Sequence, residues 1–65
     1  MKNNLKYLRK KLNFSQEELA NKTGVSRQTI NSIETGKFDP SLSPVFKLIK
    51  TLDCSLEELF IYESG

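Results

Sequence analysis

The 65-residue chain has no histidine and no tryptophan, and its single cysteine is Cys54. Without histidine, neither metal sites nor acid–base chemistry built on imidazole is expected. One thiol excludes an internal disulfide and a cysteine-cluster metal centre. Glycine (3) and proline (2) are sparse, which rules out collagen-like or low-complexity character. The longest uninterrupted apolar run is Leu59-Phe60-Ile61-Tyr62, far short of the ~20 residues a membrane-spanning helix needs. No apolar stretch follows Lys2, so no secretory leader is expected, and the expected location is the cytoplasm. The length fits one domain, 1–65. A core this small rarely supplies more than about 3–5 kcal/mol, which makes self-association a reasonable expectation. These absences favour a binding module that needs no cofactor.

Charge is divided unevenly. Residues 1–37 hold eight Lys or Arg against Glu17, Glu18 and Glu34, a net of +5, whereas residues 38–65 carry a net of −3. A basic half facing a polyanion is one reading, and lysines scattered over solvated helix faces are the other.

Helical periodicity dominates. Leu5, Leu8 and Leu12 form the apolar stripe of a first helix near 4–12, and Asn13-Phe14 interrupts it. Ser15-Gln16-Glu17-Glu18 fits a capping box and opens a second helix, 15–23, with Leu19 and Ala20 inward. Gly24 suits the left-handed conformation past its end. Ser26 caps a third helix, 26–35, with Ile30 and Ile33 inward. A fourth helix, 42–52, is capped by Ser41 or Ser43, tolerates Pro44 in its first turn, and turns Leu42, Val45, Leu48, Ile49 and Leu52 inward. A second capping box, Ser55 to Glu58, opens a fifth helix, 56–60. The aromatic and β-branched tail 60–63 is compatible with a short strand paired with residues 1–3.

Residues 16–35 therefore read as helix, tight turn, helix. Ala20 permits close approach, Gly24 supplies positive φ, and Ile30 and Ile33 pin the second member. Arg27, Gln28, Asn31 and Ser32, at i, i+1, i+4 and i+5, form its outward stripe.

These residues, continued by Ile33-Glu34-Thr35-Gly36-Lys37, Pro40-Ser41-Leu42 and Ser55-Leu56-Glu57-Glu58-Leu59-Phe60, resemble the Xre/Cro/phage-repressor helix-turn-helix family over nearly the whole chain. The likeness is greatest to its very small stand-alone repressors of Gram-positive bacteria and phages, of the cytolysin-operon repressor type. The resemblance implies an all-α, five-helix lambda-repressor-like domain, with a terminal β-ribbon as an optional addition. It implies a homodimer that binds a palindromic DNA operator through the major groove. Base contacts are implied for Arg27, Gln28 and Ser32, with Asn31 on the same stripe. Arginine can pair with guanine and glutamine with adenine. Gln16, Thr35 and Lys37 match phosphate-contacting positions, and Ser26, Ser41 and Ser43 add hydroxyls beside helix starts. Arg9 and Glu34 match a structural ion pair. Thr23 departs from the apolar residue usual there, which is expected to loosen the turn.

Leu56, Leu59, Phe60, Ile61 and Tyr62 are the candidate dimer surface. Lys10 and Lys11 are read as a solvated face, Cys54 as core packing, and Tyr7, Phe14, Phe46 and Phe60 as core or interface. The alternative function is an antitoxin- or adaptor-type interaction module that uses the apolar tail. No nucleophile–base pair suggests an enzyme, and nothing indicates a small-molecule effector.

Overall fold

The computed structural model of the protein describes residues 2–37 and 40–61. Five helices follow in order: α1 (Leu5–Lys11), α2 (Gln16–Thr23), α3 (Arg27–Glu34), α4 (Leu42–Leu52) and α5 (Leu56–Leu59).

Their ends follow from local chemistry. The Ser15 hydroxyl accepts the Glu18 amide, and the Glu18 carboxylate accepts the Ser15 amide, each at 3.0 Å. Ser55 and Glu58 repeat this arrangement before α5. These reciprocal bonds satisfy donors that a helix start leaves free. Gly24, at φ 77°, closes α2 by donating its amide to the Ala20 carbonyl. Two further turns are left-handed without glycine, at Asn13 (φ 62°) and Asp53 (φ 53°). Asparagine and aspartate are among the residues that tolerate this conformation best. Ser41 stands at the N-cap of α4, but its side chain makes no capping bond.

The core consists of Leu5, Leu19, Val25, Ile30, Ile33, Val45, Leu48, Leu52 and Leu59, with Leu8, Phe14, Ala20, Ile49, Cys54 and Phe60 packed against it. All five helices contribute a buried residue, so none is peripheral. Two leucines expected inside lie outside. Leu12 follows the last turn of α1, where the chain swings into left-handed Asn13. Leu42 is the first residue of α4 and 65% exposed, because the helix end projects past the stripe formed by Val45, Leu48 and Leu52. Tyr7 and Phe46 also lie outside the core, 64% and 63% exposed.

Residues 2–4 and 59–61 meet, and among the described residues the expected ribbon is represented by one antiparallel bridge, Asn3 with Phe60. The Asn4 amide donates to the Leu59 carbonyl at 2.8 Å, and the Ile61 amide donates to the Lys2 carbonyl at 2.9 Å. The side-chain amide of Asn3 donates to the Ile33 carbonyl, and that of Asn4 to the Glu58 carbonyl. Both side chains thus tie the segment to α3 and α5. Met1 and residues 62–63 of the expected strands lie outside the described residues.

Candidate nucleic-acid interface

The turn between α2 and α3 sets the geometry of the interface. Thr23 donates its hydroxyl to the Leu19 carbonyl at 2.7 Å and accepts the Val25 amide at 3.1 Å. This corrects the expectation of a looser turn. The hydroxyl satisfies backbone groups on both sides of Gly24, which an apolar side chain cannot do. Val25 is buried beneath the turn.

Ser26 accepts the Thr29 amide at 3.1 Å and starts α3. Ile30 and Ile33 then bury the inner face of the helix. The stripe opposite them carries Arg27, Gln28 and Asn31, all exposed, and half-buried Ser32. Among the described residues, the side chains of Arg27 and Gln28 have no hydrogen-bond partner. Both stand in the first turn of α3 with their full donor sets directed to solvent.

The residues singled out for phosphate contact divide into two groups. Lys37 and Ser41 are exposed, with side chains that bond to nothing among the described residues. Lys37 sits just past α3, its backbone amide held by the Ser32 carbonyl at 3.1 Å. Ser43 is exposed in the first turn of α4. The other side chains turn their donors inward. Ser26 gives its hydroxyl proton to Thr29 Oγ1 at 2.8 Å. Thr35 gives its proton to the carbonyls of Asn31 and Ser32. Gln16 donates through Nε2 to Asn31 Oδ1 and to Glu34 Oε1, each at 3.2 Å.

Glu34 is the centre of this network. Arg9 reaches it from α1 with Nε on Oε2 at 2.7 Å and a second guanidinium nitrogen on Oε1 at 3.1 Å. The remaining terminal nitrogen of Arg9 donates to the Phe14 carbonyl at 2.8 Å. Arg9 is only 7% exposed. The hydrogen bond to Glu34 raises its pKa above the ordinary arginine value, against the opposing effect of burial. One forked pair thereby joins α1, the α1–α2 turn and α3, and Gln16 adds α2. The bridge from Gln16 has no local sequence signature, since it links residues 15 and 18 positions apart.

The remaining candidates are placed as follows. Leu56 and Ile61 are exposed. Phe60 is half-buried against the core. Leu59 is 0% exposed and belongs to the chain's own core, which removes it from the exposed surface expected for self-association. Tyr62 lies outside the described residues. Phe14 packs against the core beneath the Lys22 ammonium, 5.1 Å from its ring centre. Cys54 is half-buried, and burial raises its thiol pKa, so it is protonated near neutral pH.

Comparison with known proteins agrees with this architecture. A family model described as helix-turn-helix matches residues 5–59. An uncharacterized HTH-type transcriptional regulator of Methanocaldococcus jannaschii is 57% identical over 63 residues, which span 97% of this chain and 96% of that protein. Antitoxin HipB of Escherichia coli O6:H1 is 33% identical over 54 residues, 83% of this chain and 57% of that protein. Among solved structures, the restriction-modification controller protein C.AhdI from Aeromonas hydrophila is similar, with a TM-score of 0.78 and 38% identity. That match covers 86% of this chain and 85% of that one. The chain belongs to the helix-turn-helix family and is a DNA-binding transcriptional regulator of the Xre/Cro type, not an enzyme.

Proposed function

We propose that the protein is a repressor that binds a palindromic operator as a homodimer and acts by occupying a promoter. The observation that carries this reading is the outward face of α3. Arg27 and Gln28 lead the helix with unengaged side chains over a buried isoleucine anchor. In this motif the first turn of the second helix enters the major groove. Arg27 suits guanine O6 and N7, Gln28 suits adenine N6 and N7, and Ser32 follows one turn later. Lys37 and Ser41 supply phosphate contacts at the flanks. In the dimer two α3 helices lie about 34–36 Å apart, one turn of duplex. Exposed Leu56 and Ile61, next to the bridge of Asn3 with Phe60, are the surface for the second copy.

The test is fluorescence anisotropy with duplex DNA from immediately upstream of the protein's own gene, against a scrambled duplex, over a range of salt. The reading expects selective binding with a steep salt dependence. Arg27→Ala and Gln28→Ala should each weaken selective binding by about 5- to 150-fold, the range for one bidentate contact, with the dimer intact. Absence of binding to either duplex at low salt overturns it. The likeness to an antitoxin supports a second reading, in which the apolar tail docks another protein. That reading expects the Arg27 and Gln28 variants to leave partner binding intact.

A further inference from the structure

We propose that Asn31 is a positioning residue, not a base reader: together with Glu34 it takes both amide protons of Gln16 and so fixes how α2 crosses α3. This rests on the operator-binding reading above and deepens it. The chemistry leaves little freedom in the assignment. An ionised carboxylate can only accept, so the group that Gln16 presents to Glu34 must be its NH2. The second proton of that NH2 goes to Asn31, which must therefore turn Oδ1 inward. Gln16 has then spent both donors. Its Oε1 makes no bond within the described residues, and no buried side-chain oxygen there lacks a partner, so Oε1 faces solvent. An outward carbonyl oxygen repels a phosphate. The side chain of Gln16 is thus arranged as a tie between helices, and donation to DNA would require it to break both bonds.

Asn31 is constrained in the same way. Reading adenine takes a donor and an acceptor from one amide plane laid against the base edge. Here the acceptor side is turned back toward α2. The first helix of this motif crosses the DNA backbone while the second enters the groove. A tie between them therefore sets the register of every base contact at once. Loss of the tie should blur preference at several positions, whereas loss of a base reader changes one.

Two variants separate these roles. Asn31→Asp keeps an oxygen for Gln16 but removes the amide donor. Asn31→Ala removes both. The full-length parent and both variants are used to select sequences from a pool of random duplex DNA. Each free protein is also examined by NMR, following the Gln16 side-chain NH2 resonances. The proposal expects Asn31→Asp to enrich the parent's consensus, with affinity lowered alike for all sequences by its added negative charge. It expects Asn31→Ala to relax preference at several positions of each half-site and to bind the parent's consensus about tenfold more weakly. In the parent, the Gln16 protons should resonate apart from the other glutamine side chains and exchange slowly, and in Asn31→Ala they should merge with them. A base preference changed at one position by Asn31→Asp overturns the proposal, because Asn31 then reads that base. Unchanged selectivity in Asn31→Ala also overturns it. Gln16 protons that behave as free in the parent remove the tie itself. A parent that enriches no sequence defeats the operator reading, and the proposal falls with it. The NMR result tells the two failures apart.

Discussion

Removing one partner of the Arg9–Glu34 pair should cost far more than removing both. The two side chains are 9% and 5% exposed, and their bonds are short and forked. Stranding one charge of a buried pair costs about 3–5 kcal/mol, while replacing both by apolar groups is often close to neutral. Arg9 also serves the Phe14 carbonyl, which has no other partner among the described residues. Left without this donor, the partly buried carbonyl adds at most about 1–3 kcal/mol to any variant that lacks the guanidinium. A domain this size has about 3–5 kcal/mol in all. Arg9→Met and Glu34→Leu should therefore each unfold most of the protein at 25 °C. The double variant should fold, about 1–3 kcal/mol below the parent. Far-UV circular dichroism with urea titration measures all four proteins at one concentration, since self-association would make stability depend on concentration. If either single variant loses less than about 1 kcal/mol, the pair behaves as a solvated surface bridge and the reasoning fails. It fails equally if the double variant is as unstable as the singles.

Three further outcomes follow from the helix ends. Gly24→Ala places a Cβ where no atom beyond its own residue and chain neighbours lies within 4 Å, so its cost is left-handed backbone strain, about 1–2 kcal/mol by urea titration. A much larger loss would point to a clash that the geometry excludes. Ser55→Ala removes the cap of a four-residue helix that carries core residue Leu59, and should cost about 1 kcal/mol, or ~4–8 °C in Tm. The Glu18 carboxylate is held below the ordinary range by the Ser15 amide first and the Ser15 hydroxyl second. Its contribution is complete above the unfolded value, about 4.3, and is lost as pH falls through the lower folded value. Glu18→Gln should flatten the acid limb of a stability-versus-pH curve, and an unchanged limb would contradict this.

The fold was largely legible because its signals are local. Serine followed three residues later by glutamate marked α2 and α5, and Gly24 marked the turn. The 3.6-residue spacing of Val45, Leu48 and Leu52 marked the core face of α4. Errors arose where a side chain sits at the end of an element. Leu12 and Leu42 continue their helices' periodicity but lie where the helix leaves the core, and periodicity alone contains no such boundary. Leu59 failed the opposite way: its apolar tail segment suggested a surface for another molecule, yet a one-turn helix carries this residue into the core. In the candidate interface, the outward stripe of α3 could be read from spacing. The inward commitment of Gln16, Ser26 and Thr35 could not, because hydroxyls and amides both donate and accept. Which role each takes is decided by neighbours from other helices. Thr23 shows the same limit, since its departure from the family's usual apolar residue suggested a looser turn where the hydroxyl adds two bonds.

The network around Glu34 also means that stability and recognition share atoms but can be separated. Arg9 joins Glu34 to the first helix, and Gln16 joins it to the second, through the same carboxylate oxygen, Oε1. The apolar anchor of α3, Ile30 and Ile33, fixes the depth of the helix and the face it buries. Hydrogen bonds add a finer directional constraint, and Gln16 supplies them at the edge nearest the outward stripe. The Arg9→Met/Glu34→Leu protein should thus retain its helices and its core while losing half the tie on Gln16. It should bind duplex DNA with weakened preference among sequences and little change in non-specific affinity, since Lys37 and Arg27 remain in place. A folded double variant with the parent's full selectivity would show that α3 is oriented by packing alone.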